Sequence, residues 1–139
     1  MAPFRLESFI VGGDCAVLQV AGEVDVYTVP EVRDRVIKLI DDGTAHVLAD
    51  LRQVTFLDST GLGMLIGSLR RLRARDGSLT LVCDTDRILK LLRVTALDRV
   101  FVIRPTAREA ITADQHWRAA ITASGSTVKE WCRRHDGPR

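Results

Sequence analysis

The chain has 139 residues, of which 46% are apolar and 27% are charged, proportions that predict one globular domain with an ordinary core. Its formal charge of +2 is too small to attract nucleic acid or a membrane surface through bulk charge. The opening MAPFRLESFI lacks the apolar core of a secretion signal, and no apolar run approaches the ~20 residues that span a bilayer. We therefore expect a soluble, cytoplasmic protein with no direct nucleic-acid or membrane partner.

Three cysteines, Cys15, Cys83 and Cys132, are spread over the chain without CxxC or Cys/His ligand spacing. This arrangement predicts neither a disulfide framework nor a metal site. Cys15 and Cys83 lie within apolar runs, so we expect them to be small core residues. A redox pair between two of the three stays open.

The first elements in chain order are two strands and a helix. FRLESFIV (4–11) and CAVLQVAG (15–22) predict strands joined by a tight glycine-containing hairpin turn. Thr28 and Glu31 have the spacing of a capping box before a helix that ends near Gly43.

A strand and a second helix follow. HVLADL (46–51) is short and nearly continuously apolar, as in the buried strand of a βαβ unit. The next helix should run from about Thr60 to Arg75, because its leucines recur on one face. The arginines near its end complement the helix dipole, and they have no interleaved aromatic residue that would indicate nucleic-acid binding.

The remaining pattern alternates strand and helix. LTLVCD (79–84) predicts a strand, RILKLLRV (87–94) a short helix and VFVI (100–103) a final strand. Thr106 and Glu109 repeat the capping-box spacing and predict a last helix that extends to about residue 123. The fold class is therefore α/β, with a mostly parallel sheet, an N-terminal antiparallel hairpin and about four helices.

Beyond Gly125 the periodicity is weak, which predicts a tail that is partly disordered at its end. Trp131 in this tail could dock on the domain or on a partner. The pattern favours neither.

The stretch VTFLDSTGLGML, residues 54–65, places three polar residues between two apolar runs. A side-chain oxygen at a helix start accepts hydrogen bonds from unpaired backbone N–H groups, so capping would explain one of Asp58, Ser59 and Thr60, though not all three. The same N–H groups and the helix dipole favour anions. A phosphate on one of these hydroxyls would be tolerated by the fold while it reversed the local charge.

Gly61 and Gly63 fall in the first turn of this helix, although Gly is less favourable than Ala there by about 1 kcal/mol each. They could allow close packing on a strand, or offer a flat backbone surface on which another molecule lies. Both interpretations stay open.

A nucleophilic role for Ser59 has little support. The residues before it do not form a G-x-S-x-G elbow, and His46, His116 and His135 lack a motif that would make one of them the base. The lysine-containing phosphate-loop signature is also absent.

The motif FLDSTGLGMLIG, preceded by GEVD at 22–25 and by HVLADL, resembles the STAS-domain anti-sigma factor antagonists of bacteria. The resemblance covers roughly residues 4–112. It implies a single STAS-type domain over residues 1–113, which leaves 114–139 as a C-terminal extension formed by a helix continuation and the tail.

The resemblance further implies a non-catalytic switch protein without cofactor or metal. Unphosphorylated, such a protein binds an anti-sigma factor of the serine-kinase type and frees a sigma factor. A PP2C-type phosphatase resets it, and a weak homodimer is allowed. Carried over by motif, the phosphorylated residue is Ser59, with Thr60 as second choice. The partner-binding residues are Asp25, Asp58, Ser59, Thr60, Gly61, Leu62 and Gly63.

Family members usually carry Gly after the third helix, where this chain has Ala96, and a left-handed conformation is less favourable for Ala than for Gly.

Two other functions stay open. A nucleotide- or small-ligand-binding sensor could use the helix start at residues 58–63, and a hydrolase built on Ser59 is a third, weaker alternative.

Overall fold

Five strands form one mixed sheet in the computed structural model, which describes residues 3–136. The order is β1-β2-β3-β4-β5, with β1 and β2 antiparallel and all other neighbours parallel. The strands are β1 Arg5–Val11, β2 Cys15–Val24, β3 His46–Leu57, β4 Ser78–Val82 and β5 Val102–Arg104. The predicted fold class, a mostly parallel sheet entered through an antiparallel hairpin, is confirmed.

Residues 3–136 contain six α-helices rather than about four. They are α1 Val29–Asp41, α2 Ser59–Arg73, α3 Asp86–Val94, α4 Ala107–Thr112, α5 Gln115–Ala123 and α6 Val128–Asp136. A short 3₁₀ helix, Leu97–Arg99, follows α3.

The crossover helices α1, α2 and α3 all cover one face of the sheet. Each parallel strand lies beside the one before it, so the three crossovers step in the same direction, and right-handed crossovers of this kind put their helices on the same side. The packing agrees, since Val32 of α1, Leu65 of α2 and Ile88 of α3 belong to one buried cluster with the strands.

The opposite face is covered by α4, α5 and α6. Their side chains Ile111, Trp117 and Trp131 are buried in a second cluster with Val17 and Leu48 of the sheet. Trp131 is only 4% exposed, so it docks on the domain itself. Within the predicted tail, Val128–Asp136 is helical, and residues 137–139, at the end where disorder was predicted, lie outside the described part of the chain.

A charged cluster fixes the end of α6 to the sheet. Arg52 of β3 donates to Asp50 and to Asp136 at 2.7 Å each, and its side chain is 5% exposed. Asp136 also accepts from the backbone N–H groups of Ala107 and Arg108 at 3.0 and 2.6 Å. One carboxylate thus joins α6, the start of α4 and the centre of β3.

Two predicted helix starts differ from the structure. The capping box at Thr28 and Glu31 is wrong, because the Thr28 hydroxyl accepts from the Asp25 N–H at 3.0 Å and donates to the Glu23 carbonyl at 2.9 Å instead. The single helix predicted from Thr106 to about residue 123 is two helices. Thr106 does cap the first through Glu109 N–H, but Asp114 caps a new helix through Trp117 N–H.

The other boundaries shift by a few residues. β3 continues six residues beyond the predicted end, to Leu57, and β5 begins at Val102 rather than at residue 100. Ala96 takes the left-handed conformation, with φ +60°, that Gly would take more easily. Cys15 and Cys83 are buried core residues as predicted, and all three cysteines are free.

Candidate functional site

The corner between β3 and α2 lies beside the end of β2. Val24 pairs with Leu57 as the last residues of these neighbouring parallel strands, and the Asp58 N–H approaches the Val24 carbonyl at 3.4 Å. Asp25 and Asp58, which follow these two residues, therefore emerge side by side. They lie at the carboxyl edge of the sheet, where α/β folds commonly place their binding sites.

Asp58 is the residue that caps α2. Its backbone is extended, and its Oδ1 accepts from the Gly61 N–H at 2.9 Å. Since one carboxylate fulfils the capping role, the hydroxyls of Ser59 and Thr60 are left without that structural duty.

Ser59 is the first residue of α2 and is exposed. Within residues 3–136, its hydroxyl has no hydrogen-bond partner. Thr60 is half-buried. Of the two hydroxyls, that of Ser59 is therefore more accessible to an enzyme, and it projects where helical N–H groups gather.

The two glycines of the first turn differ in their surroundings. A Cβ on Gly61 would lie 2.4 Å from Leu57 Cδ1 and 3.1 Å from Val24 Cγ1, so its lack of a side chain lets α2 pack on β2 and β3. A Cβ on Gly63 would meet nothing within 4 Å, and Gly63 is exposed. Close packing thus explains Gly61, while Gly63 offers open backbone. Leu62 faces the core and is 8% exposed.

Asp25 closes the turn that leads into α1. Its Oδ1 accepts from the N–H groups of Tyr27 and Thr28 at 2.9 and 3.2 Å. This carboxylate is half-buried and has a structural role in addition to its place at the corner.

Large apolar side chains surround this corner and were not among the predicted site residues. Val26 is 58% exposed, Tyr27 88% and Phe56 43%. Val26 and Tyr27 follow Asp25 directly, and Phe56 lies two residues before Asp58. Exposed apolar residues beside polar ones are typical of protein interaction surfaces. A partial signal was present in the sequence, because an aromatic residue lies two positions from each acidic residue, Phe56 before Asp58 and Tyr27 after Asp25.

A polar cluster lies at the opposite, amino end of the parallel strands. The Asp14 carboxylate is 2.9 Å from His116 Nε2 of α5, and the Cys15 thiol points to the same Oδ1 at 3.8 Å. The rings of His46 and His116 have centroids 3.9 Å apart, and His46 Nδ1 is 2.8 Å from the Ser78 hydroxyl. Sequence reasoning missed this cluster, because 102 residues separate Asp14 from His116.

The protonation of this cluster follows from its contacts. The hydrogen bond from His116 lowers the pKa of Asp14 below its usual value. Burial, followed by the charge of Asp14, raises the pKa of the Cys15 thiol to about 12. Burial also lowers the pKa of His46. Without a bound cation, Cys15 is therefore a neutral thiol beside an ionised carboxylate.

The fold and the corner define the class of protein. The STAS domain profile matches residues 10–110, and the chain belongs to the STAS domain family. Its relatives include the anti-sigma-B factor antagonist of Staphylococcus aureus, 40% identical over 80 residues that make up 58% of this chain and 74% of that protein. The protein of the same description from Staphylococcus epidermidis is 39% identical with the same coverage. These matches place the chain with the anti-sigma factor antagonists.

Solved structures share the fold. An anti-sigma factor antagonist from Mycobacterium paratuberculosis superposes with a TM-score of 0.73 and 26% identity, covering 80% of this chain and 93% of that one. The Bacillus cell fate determinant SpoIIAA in its phosphorylated form gives a TM-score of 0.62 and 24% identity, with 80% and 98% covered. The second likeness concerns the fold alone.

Within residues 3–136, no helix combines the length and the apolar composition that a membrane span needs.

Proposed function

We propose that this protein is a phosphorylation-gated anti-sigma factor antagonist whose switch residue is Ser59. Unphosphorylated, it binds an anti-sigma factor of the serine-kinase type through the corner formed by Asp25 and residues 58–63, and a sigma factor is released. The observation that carries the proposal is the exposed Ser59 hydroxyl beside a carboxylate that already caps the helix. In this proposal the protein acts by binding rather than by catalysis, and it acts in the cytoplasm, because the kinase needs ATP.

The corner can accept a phosphate without unfolding. Phosphorylation adds about −1.5 to −2 charge, and the first turn of a helix carries roughly +0.5 with free N–H groups directed outwards. The cap is unaffected, because Asp58 rather than Ser59 holds the Gly61 N–H. A protein that shares the fold has been solved in a phosphorylated form, which supports the proposal.

The same phosphate would prevent binding. The exposed side chains of Val26, Tyr27 and Phe56 suit an interface whose centre excludes water. A double charge placed among them next to Asp58 would lose its hydration without gaining a partner. A cost of about 2.7 kcal/mol, which such a charge readily exceeds, corresponds to a 100-fold loss of affinity.

A PP2C-type phosphatase would reverse the modification, because the phosphoserine stays exposed at the start of α2. Release of the phosphate restores the hydroxyl and with it the binding surface.

The test uses Ser59→Ala, Ser59→Asp and, as a matched control one residue further, Thr60→Ala. Each variant is co-expressed with candidate histidine-kinase-like anti-sigma factors, and the phosphate is located by mass spectrometry of the intact chain and its peptides. We expect phosphate on the parent and on Thr60→Ala but none on Ser59→Ala.

Binding is then measured for the purified variants. Ser59→Ala should bind as the parent does, and Ser59→Asp should bind at least 100-fold more weakly with an unchanged melting temperature, since Asp in a first helical turn is favourable. Full affinity of Ser59→Asp, or modification of Thr60 in its place, would refute the assignment.

A further inference from the structure

The cluster at the amino end of the parallel strands brings together side chains that can bind a metal ion. One donor atom from each of Asp14, Cys15 and His116 lies within 4.8 Å of the other two. Carboxylate oxygen, thiolate sulfur and imidazole nitrogen are the donors that Zn²⁺ uses in proteins. The corner at Ser59 lies at the other end of the sheet, so the proposed switch does not account for this cluster.

The donor spacing is close to that of a tetrahedral site. Bonds of about 2.0–2.3 Å to a Zn²⁺ ion separate its ligands by roughly 3.3–3.7 Å. Cys15 Sγ is 3.8 Å from Asp14 Oδ1, and His116 Nε2 is 2.9 Å from the same oxygen. The third separation, between Cys15 Sγ and His116 Nε2, is at most 4.8 Å. Because the His116 side chain is exposed, it can move away from Asp14 to make room for an ion.

The donors are held by rigid parts of the fold. The Asp14 carbonyl accepts from the N–H groups of Ala45 and His46 at 2.8 and 3.1 Å, which fixes the hairpin turn against β3. α5 is pressed on this turn, because a Cβ on Gly12 would lie 3.0 Å from Ala120 Cβ. Donors placed in advance on separate rigid elements are what a metal site requires.

A supporting residue is present as well. His46 packs against the His116 ring, and the Ser78 hydroxyl at its Nδ1 fixes the orientation of the His46 ring. The contact with His46 restricts the rotation of the His116 ring, whose Nε2 is directed at Asp14.

We propose that Asp14, Cys15 and His116 form a binding site for a divalent transition-metal ion of the Zn²⁺ type, which fixes α5 to the β1–β2 hairpin. The ion would take Asp14 Oδ1, the Cys15 thiolate and His116 Nε2, with water as the fourth ligand. The thiol proton leaves to solvent, and the proton on His116 Nε2 moves to Nδ1. The charge of the ion is then balanced by one thiolate and one carboxylate. Entry is from the solvent side, where Asp14 and His116 are about half exposed.

The test titrates the full, reduced chain with Co²⁺ and then displaces Co²⁺ with Zn²⁺. We expect a thiolate-to-cobalt charge-transfer band and the intense visible bands of four-coordinate cobalt. Cys15→Ser should abolish the charge-transfer band, whereas Cys83→Ser and Cys132→Ser, which alter the other two buried cysteines, should keep it.

His116→Gln provides the decisive variant, because its side chain is 45% exposed and the substitution leaves the core intact. It should weaken Co²⁺ binding at least 10-fold, and Zn²⁺ should raise the melting temperature of the parent but not of this variant. The spectrum of hydrated Co²⁺ in the parent, or unchanged binding in His116→Gln and Asp14→Asn, would overturn the proposal and leave a purely hydrogen-bonded cluster.

Discussion

Replacing each glycine of the corner with alanine separates packing from recognition. Gly61→Ala places a methyl group 2.4 Å from Leu57 Cδ1, 3.1 Å from Val24 Cγ1 and 3.2 Å from the Val24 carbonyl oxygen. Gly63→Ala, two residues along the same helix, places it in open space. The two substitutions are chemically identical and sit in the same turn, so each is the control for the other.

The expected free energies follow from these contacts. Alanine is the better helix former by about 1 kcal/mol at either position. At Gly63 this gain is unopposed, so stability should rise by about 1 kcal/mol, or roughly 3–5 °C in melting temperature for a chain of this size. At Gly61, overpacking against β2 and β3 costs about 1–3 kcal/mol, so the net change should be a loss of about 1 kcal/mol.

Urea unfolding followed by tryptophan fluorescence measures both variants. Trp117 and Trp131 are buried in the hydrophobic cluster between the sheet and helices α4–α6, far from the substitutions in sequence, so they report global unfolding. Binding to the anti-sigma factor is measured on the same samples. Gly63→Ala should bind more weakly although it is more stable, because the added methyl group stands on the proposed contact surface.

A stability of Gly61→Ala equal to or above that of the parent would contradict the packing argument. If Gly63→Ala is more stable and binds with full affinity, the packing argument stands but Gly63 is not part of the interface.

Three further predictions concern other parts of the molecule. Arg52→Met should lower the free energy of unfolding, measured in urea, by about 3 kcal/mol, because it leaves Asp50 and Asp136 as largely buried carboxylates without their cation. A loss below about 1 kcal/mol would show that the cluster is not a main anchor of α6. Ala96→Gly should stabilise the chain by roughly 0.5–1 kcal/mol, since it relieves a left-handed alanine, and a lower melting temperature would refute this. His135 has a lowered pKa because burial, and then Arg134, disfavour its charged form. The folded state therefore binds this proton more weakly, and the contribution of His135 to stability, complete above its ordinary pKa of 6.5, is lost as the pH falls below that value. His135→Gln should flatten the acid side of the melting-temperature profile relative to the parent, and an identical slope would contradict the assignment.

The sequence was sufficient where the signal is local. The helix start at residues 58–63 was predictable because the capping carboxylate, the hydroxyls and the glycines are consecutive. Its place at the carboxyl edge of the sheet was not, because the predicted strand ended at residue 51 whereas β3 continues to Leu57. Thr28 shows the limit of such reasoning. Its hydroxyl could have capped α1, but in the structure it accepts from the Asp25 N–H, within the turn that the Asp25 carboxylate stabilises.

Contacts between distant residues could not be foreseen. The burial of Trp131 depends on a sheet face that the crossover helices leave open, which follows only from the strand order. The association of Asp14 with His116 depends on the break between α4 and α5, where Asp114 starts a new helix. A periodicity that is continuous through residues 106–123 does not reveal this break.

The arrangement of helices on the two faces has a consequence for biosynthesis. Because α4, α5 and α6 follow β5 in the chain, all five strands are synthesised before the helices that cover Val17, Leu48 and Val82 on one face of the sheet. Translation proceeds at about 5–20 residues per second, so this apolar side is bare for some seconds. Apolar surface exposed in this way favours chaperone binding and aggregation of a nascent chain, although the corner at residues 58–63 has already been synthesised.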